Sequence, residues 1–349
     1  MKHCQVVIVG QGIAGTSLAW ALEKSGISFA IYADDLINTS SLLAAGLINP
    51  VTGRKYVKSW MVEDLWPMIE PTYRSMGESI GQNVISHVEY LRDFHSPGDE
   101  NAWLSRCNDA LYQRYIYSKQ PFEIPHVRFN SSSLFGVTRG YRIHADRLLT
   151  GMRQRWILEG KLINEIWETD RMVIKDKIYY DGLSCDHVVY CSGVTKTGWS
   201  YFDDLPLIPN AGEFLIVEIP GLETDYLLKR SKVLVPLGDH RYWFGATYDW
   251  DCRSTCPTTE GKKQLVKALR DMLDGPFEIV HHFVGIRPTV KDRRPLMGTH
   301  YKYPNVHLFN GFGTKGYSLT PYWADHFIKY LTQNKPLDDS VNINRFSME

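Results

Sequence analysis

The stretch that decides the fold opens the chain and reads Val6-Val-Ile-Val-Gly10-Gln-Gly12-Ile-Ala-Gly15, followed by Thr16-Ser-Leu-Ala-Trp-Ala-Leu-Glu-Lys-Ser-Gly26 and Phe29-Ala-Ile-Tyr-Ala-Asp34-Asp35. The pattern predicts a buried strand, a glycine-rich turn, a helix and a second strand that ends in carboxylates. Gly10 permits the tight turn, Gly12 lets the backbone approach a pyrophosphate, and Gly15 lets the helix lie close to the sheet. The N–H groups of the first helical turn, at Ile13 and Ala14, attract phosphates, and Asp34 or Asp35 accepts hydrogen bonds from ribose hydroxyls. The opening of the chain therefore predicts a dinucleotide site.

The bulk properties of the chain limit its partners. It has 349 residues, a formal net charge of zero and 44% apolar residues, which suits one large or two medium domains with a substantial core. Zero net charge gives no general attraction to nucleic acid or to an anionic membrane. The six cysteines include no C-x-x-C pair, so neither a disulfide framework nor a metal site is predicted. We expect a cytoplasmic protein without a signal peptide or a membrane-spanning segment.

Two later segments also end strands in small residues. Residues 187–190 are apolar and lead into Cys191-Ser192-Gly193. Residues 306–310 lead into Gly311-Phe312-Gly313-Thr314-Lys315-Gly316 and a helix predicted over about 320–331. Ligands of open α/β sheets lie at the carboxyl ends of strands, so both turns are expected beside a cofactor. A nicotinamide dehydrogenase does not need the second glycine-rich turn, whereas a flavin has a ring system that such a turn can hold.

The remaining periodicities predict further helices and a second sheet. Apolar residues at helical spacing favour helices over residues 59–76, 146–160 and 258–273, the last with Thr258 or Thr259 as its N-cap. Residues 213–219, 233–236 and 242–247 alternate or run apolar between turn residues, which indicates an antiparallel sheet with His240 and Arg241 in a hairpin turn.

These motifs, in this order, resemble the D-amino-acid oxidase/glycine oxidase family of FAD-dependent oxidoreductases. Two further pieces match, Ala44-Ala45-Gly46-Leu47 and Gly285-Ile-Arg287-Pro-Thr. The resemblance implies an α/β fold: a Rossmann-type, glutathione-reductase-like FAD-binding domain (residues 1–83, 140–205 and 285–349) and an antiparallel-sheet substrate domain (residues 84–139 and 206–284). It implies non-covalent FAD held by Gly10, Gly12, Ile13, Ala14, Gly15, Asp34, Asp35, Ala44, Ala45, Gly46, Leu47, Ser192, Gly193, Gly311, Phe312, Gly313, Thr314, Lys315 and Gly316.

The resemblance also implies a chemistry: hydride transfer to flavin N5 that oxidises the C–N bond of a small amino acid or an N-substituted glycine. Arg287 is then expected to bind the substrate carboxylate as a bidentate fork, the alternative being a structural arginine paired with an Asp or Glu. Lys315 either faces the pyrimidine edge of the flavin or is an ordinary turn residue. Tyr248, Tyr317, Asn49 and Lys55 are weaker candidates for the wall of the site. No metal and no acid–base triad is required.

Three positions depart from the family pattern. The chain has Ala33 where a glutamate usually ends the second strand, and it has Val233 and Thr314 where glycine oxidases have a tyrosine and an arginine. Within the family, Ile31-Tyr-Ala-Asp34-Asp35, Phe244-Gly-Ala-Thr-Tyr248 and Gly313-Thr-Lys-Gly316 are similar to the oxidase half of a bifunctional tRNA-modifying enzyme. Removal of a carboxymethyl group from a modified wobble uridine is therefore the alternative function, with tRNA as the partner. A flavoprotein sensor without turnover is a third hypothesis, and the electron acceptor and the oligomeric state stay open.

Overall fold

The computed structural model describes residues 2–36, 39–53, 55–130, 133–195, 201–251 and 256–346. Within them, the helices of four or more residues with α geometry are α1 (Ile13–Lys24), α2 (Ser40–Leu43), α3 (Val62–Ser79), α4 (Pro97–Cys107), α5 (Ala145–Leu158), α6 (Thr259–Met272) and α7 (Gly316–Gln333). The strands are β1 (Lys2–Val9), β2 (Phe29–Tyr32), β3 (Leu47–Ile48), β4 (Val51–Thr52), β5 (Val57–Lys58), β6 (Ile85–Arg92), β7 (Ile116–Lys119), β8 (Phe135–Ile143), β9 (Leu162–Ile163), β10 (Val173–Ile174), β11 (Ile178–Tyr180), β12 (Leu183–Tyr190), β13 (Leu207–Glu218), β14 (Leu227–Lys229), β15 (Val233–Gly238), β16 (Arg241–Gly245), β17 (Glu278–Val290), β18 (Leu296–Thr299) and β19 (Val306–Asn310). Short 3₁₀ turns cover Thr169–Arg171, Gly313–Lys315 and Ile343–Phe346.

The first sheet has eight strands with β1 at its centre. Its order is β10-β11-β12-β1-β2-β9, and β19 and then β18 extend it beside β12. β1 runs parallel to β2 and β12, and β12 runs parallel to β19. Successive side chains of β1 enter different cores: Ile8 packs with α1, α5 and α7, whereas Val7 packs with Trp167 and Tyr180. Burial of both faces explains the continuous apolar run that opens the sequence.

The second sheet has nine strands and is mostly antiparallel. Its order is β17-β13-β16-β15-β14-β6-β8-β3, with β7 beside β8, and β14 pairs with β6 in parallel. The amphipathic helix α6 packs Leu265 and Leu269 against Leu215 and Phe244. Thr258 caps α6, since its hydroxyl accepts the Gly261 N–H at 2.9 Å. The α/β fold class with parallel and antiparallel sheets is confirmed.

The strands are distributed along the chain in alternating blocks. Strands of the eight-stranded sheet come from residues 2–32, 162–190 and 296–310, and those of the nine-stranded sheet from residues 47–48, 85–143 and 207–290. β3 and the ends of β8 and β17 thus pair in the nine-stranded sheet, although the sequence assigned their residues to the first domain. The domain boundaries stay a prediction.

Two helices begin at other residues than the sequence predicts. Ser59 is tied to the preceding loop, since its N–H and its hydroxyl donate to the carbonyls of Pro50 and Asn49, and α3 begins only at Val62. α7 begins at Gly316, not near residue 320, because the 3₁₀ turn of Gly313–Lys315 continues directly into it. No described helix combines the length and the apolar character that a membrane crossing requires.

Candidate active site

Both sheets contribute to a cavity of about 660 Å³, a volume typical of small-molecule and cofactor sites. The eight-stranded sheet contributes at the carboxyl ends of β1, β2, β12 and β19, and the nine-stranded sheet contributes residues of β3 and of β13 to β17. Most residues that the sequence assigned to the cofactor and substrate line this cavity, namely Gly10, Gly12, Ile13, Ala14, Asp34, Asp35, Ala44, Ala45, Gly46, Leu47, Ser192, Gly193, Arg287, Phe312, Gly313, Thr314 and Gly316.

The turn between β1 and α1 places the N-terminus of a helix at the cavity. Gly12 is the N-cap of α1 and provides no side-chain cap, and the first helical N–H, that of Ile13, donates to the Ser41 hydroxyl at 3.0 Å. Gly10 has φ +99°, and a Cβ there would lie 2.9 Å from the carbonyl oxygen of Cys191, so only glycine fits. The positive end of α1 thus faces the cavity beside the end of β12.

Gly15, Gly311 and Lys315 are absent from the described cavity wall. Gly15 acts behind it: a Cβ at this position would overlap the carbonyl oxygen of Gly10, so glycine lets α1 lie against the turn. Gly311 lies in the turn that follows β19. Lys315 is half-buried, and burial together with Arg294 and Arg293 lowers its pKa.

Asp34 and Asp35 follow β2 and are exposed at one part of the wall. The Asp34 carboxylate accepts the Asp35 N–H at 2.7 Å, and the Asp35 carboxylate lies 3.8 Å from the guanidinium of Arg153. The buried Arg153 also donates to the Gln11 side chain at 3.0 Å and to the Ala33 carbonyl at 3.2 Å. It therefore connects the glycine-rich turn to the end of β2. Nothing in the sequence pattern indicated this role, because Arg153 lies within an ordinary helical segment.

Arg287 projects from β17 and has only neutral partners among the described residues. Its guanidinium donates to Asn210 Oδ1 at 2.7 Å and approaches the Thr247 carbonyl oxygen at 3.4 and 3.5 Å. It lies over the Tyr248 ring, 4.7 Å from the centroid, and across Gly212, where a Cβ would overlap it. Burial lowers the pKa of Arg287, yet a guanidinium stays charged at neutral pH. Because its five N–H groups exceed these contacts, donors remain for a bound anion.

The four weaker candidates for the wall of the site differ in their positions relative to the cavity. Tyr248 and Tyr317 line the cavity, whereas Asn49 and Lys55 are absent from its described wall. The Tyr317 hydroxyl donates to the Ser41 carbonyl at 2.8 Å. His240 lies in the turn between β15 and β16, as predicted.

Several residues of the cavity wall were not predicted from the sequence. Phe214 and Trp243 stack with ring centroids 5.0 Å apart, and Lys229 and Lys232 lie on the same wall. The strands of Phe214 and Trp243 were predicted, but β14, which carries Lys229, was not, and Lys232 lies just before β15. Cross-strand register decides which side chains share a face, and the pattern of one strand does not contain it.

The cavity fits FAD in size and in chemistry. The α1 N-terminus and the Gly10–Gly12 turn supply N–H groups for a pyrophosphate, and Asp34 and Asp35 supply acceptors for ribose hydroxyls. Apolar and small residues from both sheets, among them Leu47 and Phe312, supply contacts for a flat ring system.

Comparison with known proteins agrees with this site. The profile of the DAO family, described as FAD dependent oxidoreductase, matches residues 5–329. Glycine oxidase of Bacillus subtilis (strain 168) is 24% identical over 352 aligned positions, covering 92% of this chain and 90% of that protein.

Solved structures share the fold. Glycine oxidase from Bacillus cereus ATCC 14579 superposes with a TM-score of 0.77 at 19% identity, covering 95% of this chain and 96% of its own. Iminodiacetate oxidase from Chelativorans sp. BNC1 superposes with a TM-score of 0.71 at 19% identity, covering 98% of both chains. The profile match over most of the chain and the cavity that both sheets build lead to one conclusion: the chain is an enzyme of the DAO family of FAD-dependent oxidoreductases, with FAD as its cofactor.

Proposed function

We propose that this enzyme oxidises the C–N bond of a small amino acid or an N-substituted glycine. The observation that carries the proposal is Arg287, a cation on the cavity wall whose described partners are an amide and a backbone carbonyl. A cation in this setting is suited to a carboxylate, since a fork of two N–H groups matches two carboxylate oxygens. The family relatives whose names state an activity, glycine oxidase and iminodiacetate oxidase, support an amino-acid-like substrate.

The chain's own residues orient the substrate and set its protonation. Bound FAD supplies the hydride acceptor for the carbon next to the substrate nitrogen. Arg287 holds the carboxylate, while the stacked rings of Phe214 and Trp243 give the adjoining wall an apolar surface. The guanidinium of Arg287 neutralises the substrate carboxylate, whose negative charge would otherwise stabilise the ammonium form, so the neutral amine, which gives up hydride, is favoured.

Product analysis tests this function. The FAD-loaded enzyme is incubated with glycine, sarcosine, D-alanine, D-proline or iminodiacetate, with oxygen or an artificial electron acceptor, and the carbonyl product is measured. We expect product from at least one of these amines and more than about 100-fold less from Arg287→Ala. Lys291→Ala, on the exposed turn after β17, is the matched control. Equal product from the Arg287→Ala enzyme would contradict the proposed role of Arg287.

We also propose that the FAD is held non-covalently and that the enzyme works in the cytoplasm. The cysteine on the described wall, Cys191, is buried, and burial raises the pKa of its thiol, which disfavours the nucleophilic thiolate. Acid precipitation is expected to release the flavin into the supernatant. A flavin that stays with the precipitated protein would contradict non-covalent binding.

Removal of a carboxymethyl group from a modified tRNA uridine is the second candidate, and one feature favours it. Tyr248 on the cavity wall and Trp250 two residues later are 64% and 52% exposed, an arrangement suited to stacking on bases. The substrate would itself be an N-substituted glycine, so Arg287 would keep its role. Incubation with tRNA that carries carboxymethylaminomethyl-uridine, followed by nucleoside mass spectrometry, tests this candidate. An unchanged modified nucleoside would eliminate it.

A further inference from the structure

Lys229 and Lys232 lie on the same cavity wall as Arg287, and neither is among its described hydrogen-bond partners. Both are half-buried. Among the described residues of the wall, the carboxylates are Asp34 and Asp35, which follow β2 in the eight-stranded sheet. The part of the wall that the nine-stranded sheet forms thus carries basic side chains and, in its described residues, no acidic one.

One short backbone segment holds two of these cations close together. Lys232 Nζ donates to the Ala246 carbonyl oxygen at 2.6 Å, and Arg287 approaches the Thr247 carbonyl oxygen at 3.4 Å. These carbonyls belong to consecutive residues, whose Cα atoms are about 3.8 Å apart. An ammonium has three N–H donors, so Lys232 keeps donors beyond its bond to Ala246. A small molecule bound at the guanidinium therefore lies within reach of Lys232.

Lys229 continues the positive wall. It lies opposite Val233 in the β14–β15 pair, and Val233 lies opposite Gly245 in the β15–β16 pair, so the three positions share one face of the sheet. Burial, then the cations Arg92 and Lys232, lower the pKa of Lys229 to about 8. Burial and Arg287 lower the pKa of Lys232. The charged side chains that lower these two pKa values are all cations.

A substrate with one carboxylate neutralises only part of the positive charge on this wall. Half-buried like charges repel one another because the protein screens them less than water does. One carboxylate at Arg287 leaves Lys232 and Lys229 without a counter-ion. The cofactor phosphates are not expected to act as this counter-ion, since their expected position is the N-terminus of α1, which follows β1 of the other sheet.

We propose that Lys232, supported by Lys229, forms a second anion subsite, and that the substrate is an amino acid or N-substituted glycine with a second anionic group, a carboxylate or a phosphate. This inference rests on the proposed function, in which Arg287 takes the first carboxylate. Lys232 is then a specificity-determining residue that selects dianionic over monoanionic substrates.

Binding of substrate-like anions to the FAD-loaded enzyme, measured by titration calorimetry, tests the subsite. The probes are succinate, 3-phosphonopropionate and succinamate, which have similar lengths; succinamate replaces one carboxylate by a neutral amide. None of them has an amine that the enzyme can oxidise. We expect at least one dianion to bind about tenfold or more tightly than succinamate. Preference for succinate assigns a carboxylate to the subsite, and preference for the phosphonate assigns a phosphate.

Variants of Lys232 distinguish a specific anion subsite from a lysine that has only a structural role. In Lys232→Met we expect the dianion preference to disappear while succinamate affinity stays unchanged, and in Lys232→Arg we expect the preference to remain. Lys263→Met, an exposed lysine of α6, is the matched control. Equal wild-type affinity for succinamate and both dianions would overturn the inference, as would an equal loss of all three in Lys232→Met. Unchanged succinamate binding in Arg287→Ala would instead overturn the proposed function.

Discussion

Arg287 shows how a single residue obtains its role from its neighbours. The sequence left a structural ion pair as an alternative, but the described partners of Arg287 are Asn210, the Thr247 carbonyl and the Tyr248 ring. A neutral setting orients the guanidinium without neutralising it. The arginine is thus a preorganised cation on the wall of the cavity.

Substitution of Arg287 by lysine is expected to separate charge from geometry. Lysine keeps the positive charge but loses the fork, so we expect a substrate KM between those of the wild type and of Arg287→Ala, with FAD content unchanged in both variants. Steady-state kinetics and the flavin-to-protein absorbance ratio measure the two quantities. Wild-type KM in Arg287→Lys would show that the fork is unimportant.

Gly15 lets α1 lie close to the glycine-rich turn, and its substitution tests this role. A Cβ there would overlap the Gly10 carbonyl oxygen, so Gly15→Ala forces α1 away from the turn. We expect a loss of about 1–3 kcal/mol in the free energy of unfolding, together with weaker FAD retention. Gly98→Ala is the control, because its Cβ would meet only the Ser96 hydroxyl, at 3.7 Å, and the expected change is within about 1 kcal/mol. A stability loss no larger than that of Gly98→Ala would contradict the close-packing role of Gly15.

Among the helices, α7 begins earlier in the sequence than predicted. The sequence predicts this helix over about residues 320–331, whereas α7 begins at Gly316. The structure has Pro321 inside α7, where the Tyr317 carbonyl lacks its usual i+4 donor. The hydroxyl of the buried Tyr73 on α3 donates to this carbonyl at 2.7 Å. Such a partner from a distant segment leaves no trace in the local sequence.

A double-mutant cycle tests this pairing. We expect Tyr73→Phe to lower the free energy of unfolding by about 1–3 kcal/mol, since it leaves the buried Tyr317 carbonyl without a donor. In the Pro321→Ala background, the alanine N–H replaces the lost donor, so the same substitution costs less. Chemical denaturation measures both costs. Equal costs in the two backgrounds would contradict the pairing.

For the whole molecule, local sequence patterns predict more of the cofactor half of the cavity than of the substrate half. The β1–α1 unit and the turn after β19 are continuous segments, so Gly10, Gly12 and Gly313 were predicted and line the cavity. The substrate wall depends on register among strands β13 to β17, which places Lys229 and Lys232 on the same wall as Arg287. Arg153 escaped prediction for a similar reason, as its partners Gln11 and Ala33 are far away in the sequence.

Global stability is expected to fall in mild acid because of His307. The buried His307 bonds to His187 at 2.9 Å and to Thr299 at 2.8 Å, and burial together with His187 holds its pKa well below the ordinary value. An unfolded histidine takes up a proton below about pH 6.5, so the unfolded state then binds more protons than the folded state. The free energy of unfolding therefore falls as pH drops below about 6.5, by up to about 1.4 kcal/mol per pH unit for this group.

Urea unfolding from about pH 7.5 to pH 5 measures this dependence. His307→Gln is expected to be less stable at neutral pH but to show a shallower pH slope, and His95→Gln, at an exposed histidine, is expected to keep the wild-type slope. A wild-type slope in His307→Gln would mean that His307 is not the titrating group.

The visible spectrum under anaerobic conditions tests whether this FAD enzyme takes hydride from a small amino acid or an N-substituted glycine. The FAD-loaded enzyme is mixed with glycine, sarcosine, D-alanine, D-proline or iminodiacetate, and the flavin band is followed. We predict that at least one of these amines bleaches the band and that the same amine at the same concentration leaves it intact in Arg287→Ala. A wild-type flavin band that all five amines leave unchanged would contradict the proposed oxidation of these substrates.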